Sequence, residues 1–141
     1  MNVINITLCS SAKFFDRLWD IEKALKAKGY GVFLPSMKDY HSGHEDSHAK
    51  IQYDLIREHF KKIDKSHAIY VANYDKNGIE GYIGGNSFLE MGKAFDKGIP
   101  IFLLNYIPGV SYREEIIAMS PIVIGEDWER LDKILKEFYK I

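Results

Sequence analysis

The feature that most limits the fold of this chain is an alternation. Short apolar, β-branched runs are each followed by a segment with apolar residues at helical spacing. Such runs fit buried strands, and the longer segments fit amphipathic helices. The runs are 3–9 (Val3 to Cys9), 30–34 (stopped by Pro35), 67–73 (His67 to Asn73), Ile99 to Leu104 and Pro121 to Ile124. Ile99 to Leu104 is almost wholly apolar, as expected in the centre of a parallel sheet. Residues 13–28 carry Phe14, Leu18, Ile21 and Leu25 and end at Gly29. Residues 49–64 carry Ile51, Leu55, Ile56, Phe60 and Ile63. Asn86 to Lys97 (closed by Gly98), Ser111 to Met119 and Asp127 to Tyr139 complete the expected helices. Residues 36–48 are polar and read as a loop, and Tyr74 to Gly85 is a Gly-rich loop.

Strands alternating with helices imply right-handed βαβ crossovers. The expectation is an α/β three-layer sandwich with a flavodoxin-like, five-stranded parallel sheet of order 2-1-3-4-5. At 141 residues the length fits one domain over 1–141. The switch point falls between the first and third strands. Loops 9–13, 35–48 and 74–87 should therefore build a ligand crevice.

Composition narrows the partners. Apolar content of 46% and charged content of 28% fit a globular protein. The net charge of -1 gives no bulk attraction to nucleic acid or to an anionic membrane. No apolar stretch approaches the ~20 residues of a membrane span. A lone cysteine, Cys9, forms no internal disulfide, which fits a cytoplasmic setting. The first residues read as a strand and not as a signal peptide.

Two segments carry chemistry. Cys9-Ser10-Ser11-Ala12-Lys13 joins the first strand to the first helix. A helix N-terminus with two hydroxyls and a lysine suits a phosphate. The same serines also suit a simple helix cap, with Lys13 solvated. The Gly-rich dinucleotide fingerprint and the phosphate-loop signature are both absent, which argues against a dehydrogenase or nucleoside triphosphatase. The second segment is Gly84-Gly85-Asn86-Ser87-Phe88-Leu89-Glu90-Met91-Gly92. Ser87-x-x-Glu90 fits a capping box. Alternatively Glu90, in a first helical turn and favoured as an anion by the helix dipole, faces the crevice. An ionised carboxylate there can attack a sugar anomeric carbon or stabilise an oxocarbenium-like transition state. Gly84 and Gly85 let a ligand approach the backbone closely.

In their order and placement these segments resemble the nucleoside 2-deoxyribosyltransferase superfamily, including its 2'-deoxynucleoside 5'-monophosphate N-glycosidases. The likeness runs from about residue 3 to about residue 105. It rests on Glu90-Met91-Gly92-Lys93-Ala94, Gly98-Ile99-Pro100-Ile101 and the 9–13 turn, and is nearest to a prokaryotic branch with Tyr82-Ile83-Gly84-Gly85-Asn86. The resemblance implies that Glu90 is the catalytic carboxylate and that Ser11 and Lys13 hold a 5'-phosphate. Cys9 and Ser10 belong to the same turn, and Gly84, Gly85, Asn86 and Ser87 should line the sugar or phosphate. Two family acids are replaced, one by His59 on the helix before the third strand and one by Gly84. An imidazole is an ordinary general acid near neutral pH, so His59 becomes an acid candidate, with Asp75 and Glu80. The resemblance also implies a homodimer or higher oligomer whose neighbouring subunit supplies Asn105, Tyr106 or Ser111.

Phe15 and Tyr82 are candidates for stacking on a base, with Phe14 and Tyr74 as further loop-end aromatics. His41, His44 and His48 have spacing that permits zinc on paper, but no ligand set completes it. A closing lid is the better reading of that loop, and no metal or organic cofactor is expected. The expected function is cleavage or transfer at the N-glycosidic bond of a (deoxy)nucleoside or its 5'-monophosphate. The alternative is a nucleotide-binding sensor that does no chemistry.

Overall fold

A computed structural model describes residues 3–36 and 45–141; within 45–53 it describes the backbone only. Five strands form one sheet: β1 (Asn5–Cys9), β2 (Gly31–Phe33), β3 (Ala68–Val71), β4 (Ile101–Leu103) and β5 (Ile122–Val123). Their order is β2-β1-β3-β4-β5, and every pairing is parallel. The α/β architecture expected from the alternation is therefore present. The helices are α1 (Leu18–Ala27), α2 (Glu45–Asp64), α3 (Gly85–Lys97), α4 (Arg113–Ala118) and α5 (Trp128–Tyr139). No described helix is long and apolar enough to cross a membrane.

The two-residue period of each strand sorts its side chains between two cores. Ile6, Leu8, Ala68, Tyr70 and Phe102 pack with Leu18, Ile21 and Leu25 of α1 and with Leu131 and Leu135 of α5. Cys9, Ile69, Val71, Ile101 and Leu103 face the other way, onto Ile63 of α2, Met91 and Ala94 of α3 and Ile116 of α4. The sheet is thus buried on both faces, as a parallel sheet must be. The same alternation turns the last residue of β1, Cys9, toward α2 and α3.

Three boundaries differ from expectation. The segment after β1 begins as a 3-10 helix (Ala12–Arg17) and becomes α-helical only at Leu18. Helix α2 starts at Glu45, so 45–48 are helical and not loop. Its first turn has no apolar residue for a periodicity to detect. Helix α3 starts at Gly85, with Gly84 as its N-cap. The expectations for His41, His44, a lid over 37–44, and the side chains of His48 and Ile51 fall outside the described residues.

The carboxyl ends of β3 and β4 are tied by Asn73, which is buried. Its Oδ1 accepts from the Asn105 N–H at 2.8 Å, and its amide donates to the carbonyls of Gly81 and Asn105, each at 3.1 Å. Gly81 has φ +63°, and a Cβ there would lie 2.7 Å from the Tyr106 carbonyl, so only glycine fits. Together these contacts fix the loop between β3 and α3. Replacing Asn73 by Ala leaves several buried backbone groups unpaired. Asn73→Ala should lower unfolding free energy by about 2–4 kcal/mol, read as a shift of the denaturant midpoint at unchanged slope.

Candidate active site

The loops after β1 and β3 and the start of α3 enclose a cavity of ≈ 370 Å³. That volume lies within the range of small-molecule sites, roughly 300–1,000 Å³. Ser10 and Ser11 line it from the first loop, and Gly84, Gly85, Asn86 and Ser87 from the start of α3. Phe15 and Tyr82 supply aromatic wall, and Leu55, Ile56 and His59 face it from α2. Glu90 completes it. The sequence-derived groups from the 9–13 turn and the 84–90 segment thus share one cavity, with Lys13 the exception.

Glu90 is not where a capping box would put it. With α3 beginning at Gly85, Ser87 is the third residue of the helix and Glu90 lies in its second turn. No acidic residue occupies the first turn, and no side chain caps this end. The capping reading and the first-turn dipole argument are both replaced by a tertiary contact. Glu90 Oε2 lies 2.7 Å from Nε2 of His59, and both residues are more than nine-tenths buried. The two atoms are close but not aligned as a hydrogen bond, so Glu90 Oε2 and His59 Nδ1 are left without hydrogen-bond partners. A buried acceptor without a donor is exceptional in a folded protein, and one facing a cavity points to a ligand or water.

Cys9 closes the other side of His59, its Sγ 3.6 Å from the same Nε2. The thiol is fully buried, and desolvation together with the Glu90 charge raises its pKa well above the ordinary thiol value. A Cys–His–Glu nucleophilic triad would need the carboxylate on the opposite ring nitrogen. Here both partners crowd one nitrogen, so Cys9 has no activating base and does not line the cavity. It remains against the site without touching a substrate.

The serines do not cap the helix. Ser10 Oγ donates to the Ser11 carbonyl at 2.8 Å, and Ser11 Oγ accepts from Lys76 Nζ at 2.7 Å. Lys76 lines the cavity and lies 5.7 Å from the centre of the Tyr82 ring. Lys13 does not line it; this exposed lysine lies over the Phe14 ring. Lys76 therefore holds the position expected of Lys13. Sequence reasoning missed it, although a signal was present. Asn77 (φ 55°) and Gly78 (φ 74°) form a tight turn, with Lys76 and Ile79 exchanging both backbone hydrogen bonds. Asn-Gly is the residue pair that a two-residue hairpin prefers, and it aims the preceding lysine back over the first loop.

Other candidates lie elsewhere. Asp75 Oδ1 accepts from the Gly81 N–H at 2.8 Å and, with Glu80, Asn105 and Tyr106, lines a separate cavity of ≈ 490 Å³ that Glu90 does not border. Asp75 and Glu80 are thus not placed to act as acids beside Glu90. Ser111 is exposed and also away from the site. Phe14 packs against Tyr74, with Arg17 over both rings, so those aromatics serve the fold.

No protein-family model matches the chain, and no curated protein matches it. Among solved structures it is similar to a 2-deoxyribosyltransferase from the psychrotolerant bacterium Bacillus psychrosaccharolyticus. The two are 20% identical over 70% of each chain, with a TM-score of 0.48. That likeness is too distant to assign an activity.

The burial of Cys9 sets a measurable expectation. A thiol whose folded pKa exceeds its unfolded one adds stability that is constant below about pH 8.5, the unfolded value. That stability is lost as pH rises from there toward the folded pKa. Native protein at pH 8 should resist a thiol-specific reagent that labels the denatured chain at once. Labelling of native protein at the rate of a free thiol would contradict the buried placement.

Proposed function

We propose that the chain cleaves or transfers at the N-glycosidic bond of a (deoxy)nucleoside or its 5'-monophosphate, with Glu90 as the carboxylate at C1'. The observation that carries this reading is a buried carboxylate oxygen without a donor, bordering a cavity that also holds the Lys76–Ser11 pair. A carboxylate in a water-poor site attacks the anomeric carbon or stabilises its positive charge. The bond from C1' to the base nitrogen breaks, and its electron pair leaves with the base. Water then returns the sugar by hydrolysis, or a second base accepts it.

His59 is better suited to position Glu90 than to protonate the leaving base. A retaining mechanism separates nucleophile and acid by roughly 5–5.5 Å, because they work on opposite faces of the sugar. His59 Nε2 is 2.7 Å from the carboxylate, on the nucleophile's own side. Its contact turns Glu90 toward the cavity. Lys76, not Lys13, is the cation for a 5'-phosphate, with Ser11 as a hydroxyl donor beside it. Phe15 and Tyr82 offer flat apolar wall for the base.

A specific observation supports the sensor reading as the second choice. Among the described residues Glu90 is the one carboxylate that lines the cavity, so none of these residues offers a second acid to the base. Release of free base from a panel of nucleosides and 5'-monophosphates separates the two. Tight binding with no release selects the sensor.

Two substitutions test the roles. Glu90→Gln should cut turnover by more than about 10³-fold while the thermal midpoint stays near that of the parent; turnover close to the parent's would end the proposal. Lys76→Met should raise KM for monophosphates by roughly 10- to 100-fold, the worth of one charge-assisted hydrogen bond, and leave unphosphorylated nucleosides almost unaffected. Lys13→Met should do neither. Equal effects of the two lysine substitutions would reject the assignment.

A further inference from the structure

We propose that Cys9, His59 and Glu90 together form a binding site for one divalent cation of the zinc class, open toward the cavity. The three donors come from β1, α2 and α3, and Sγ, a ring nitrogen and a carboxylate oxygen lie within 4.8 Å of one another. All three residues are buried: Cys9 at 0% exposure, His59 at 6% and Glu90 at 8%.

One edge of the three matches a tetrahedral ion, one is shorter than it needs, and the sulfur–oxygen separation lies within 4.8 Å. Zinc bonds of about 2.3 Å to sulfur and 2.0–2.1 Å to nitrogen require a sulfur–nitrogen edge of roughly 3.6 Å. Cys9 Sγ and His59 Nε2 are 3.6 Å apart. The nitrogen–oxygen edge would be about 3.3 Å, against 2.7 Å between His59 Nε2 and Glu90 Oε2. The carboxylate must therefore draw back from the ring when an ion binds. Independently of these distances, Glu90 Oε2 is a buried acceptor with no hydrogen-bond donor. His59 Nδ1 has no partner either; on binding, the ion would take the place at Nε2 that a proton facing the Glu90 carboxylate otherwise holds.

The donor set selects the ion. Sulfur, imidazole and a single carboxylate favour Zn²⁺ or Co²⁺ over Mg²⁺ and Ca²⁺, which need more oxygen. On binding, the Cys9 S–H bond breaks, its proton passes to solvent, and the thiolate joins the metal. Thiolate and carboxylate then cancel the charge of the ion, which removes the penalty of burying an unpaired anion. Three protein ligands leave a fourth position on the side that His59 and Glu90 present to the cavity. The inference stands apart from the glycosyl reading. Where that reading holds, the cation and the sugar compete for the same carboxylate.

Cobalt reports the site directly. Full-length protein, stripped with a chelator and titrated with Co²⁺ alone, should take up one equivalent and develop a thiolate-to-cobalt charge-transfer band in the near ultraviolet. One equivalent of Zn²⁺ should erase it. Competition with a chromophoric chelator should show Zn²⁺ binding weakened at least about 100-fold by Cys9→Ser, more than the loss of an outer-shell partner. Replacing His41, His44 and His48 together by Ala should leave band and affinity intact. Absence of the band from unmodified protein overturns the proposal without reliance on any variant. So does zinc binding that survives Cys9→Ser, or that disappears with the three loop histidines.

Discussion

The site depends on one topological constraint. β1 and β3 are neighbours in the sheet, yet the helices that follow them pack on opposite faces. The loops leaving their carboxyl ends must therefore part, and the parting leaves a crevice. Ser10 and Ser11 leave β1 on one side, and Gly84 to Glu90 return on the other. The chain between them, from Tyr74 to Ile83, is held down by Asn73 and by the Tyr112 hydroxyl, which donates to the Ile83 carbonyl.

Within that crevice, strand alternation decides what meets Glu90. Cys9 is the last residue of β1 and faces α2 and α3 because Leu8 faces α1. His59 lies one turn before Ile63, the α2 residue buried on the same face, so it reaches inward near the carboxyl edge of the sheet. The result is a thiol, an imidazole and a carboxylate packed together where water is scarce. Coulomb interactions strengthen there, and every missing hydrogen bond is more costly. The lysine of the same cavity differs in kind. Lys76 stands on a two-residue turn and is only half-buried. Its ammonium donates to the Ser11 hydroxyl, a single tie to one loop, whereas the Glu90 cluster is fixed by three elements.

The fold was legible in the sequence because it rests on patterns that repeat: apolar runs for strands, 3.6-residue spacing for helices, Gly98 in the left-handed conformation closing α3. Ends were less legible, since a strand extends only as far as its neighbour pairs with it. Val3 to Cys9 reads as one run, but pairing with β2 begins at Asn5. The site was legible at the level of segments and not of contacts. Ser87-x-x-Glu90 satisfies a capping signature wherever it falls, and two glycines are poor helix formers. Only tertiary packing shows that α3 includes Gly85 and carries Glu90 into its second turn. Lys13 and Lys76 are alike as residues. What distinguishes them is that a 3-10 helix turns one outward and an Asn-Gly turn brings the other in.

Glu90, finally, serves one reading as a nucleophile and another as a ligand for the same electrostatic reason. A buried carboxylate short of donors gains from any positive centre that reaches it. A developing charge on a sugar carbon is such a centre, present only in the transition state, when it matters for rate. A divalent ion is a permanent one, and with Cys9 as its thiolate it would be neutralised completely. The two outcomes draw on different neighbours. Sugar chemistry needs the cavity wall, Lys76 and Ser11, but nothing from the Cys9 thiol. Metal binding needs the thiol, but nothing from Lys76. The cluster and the cation are thus separable parts of one crevice, and the properties of each follow from the element on which it stands.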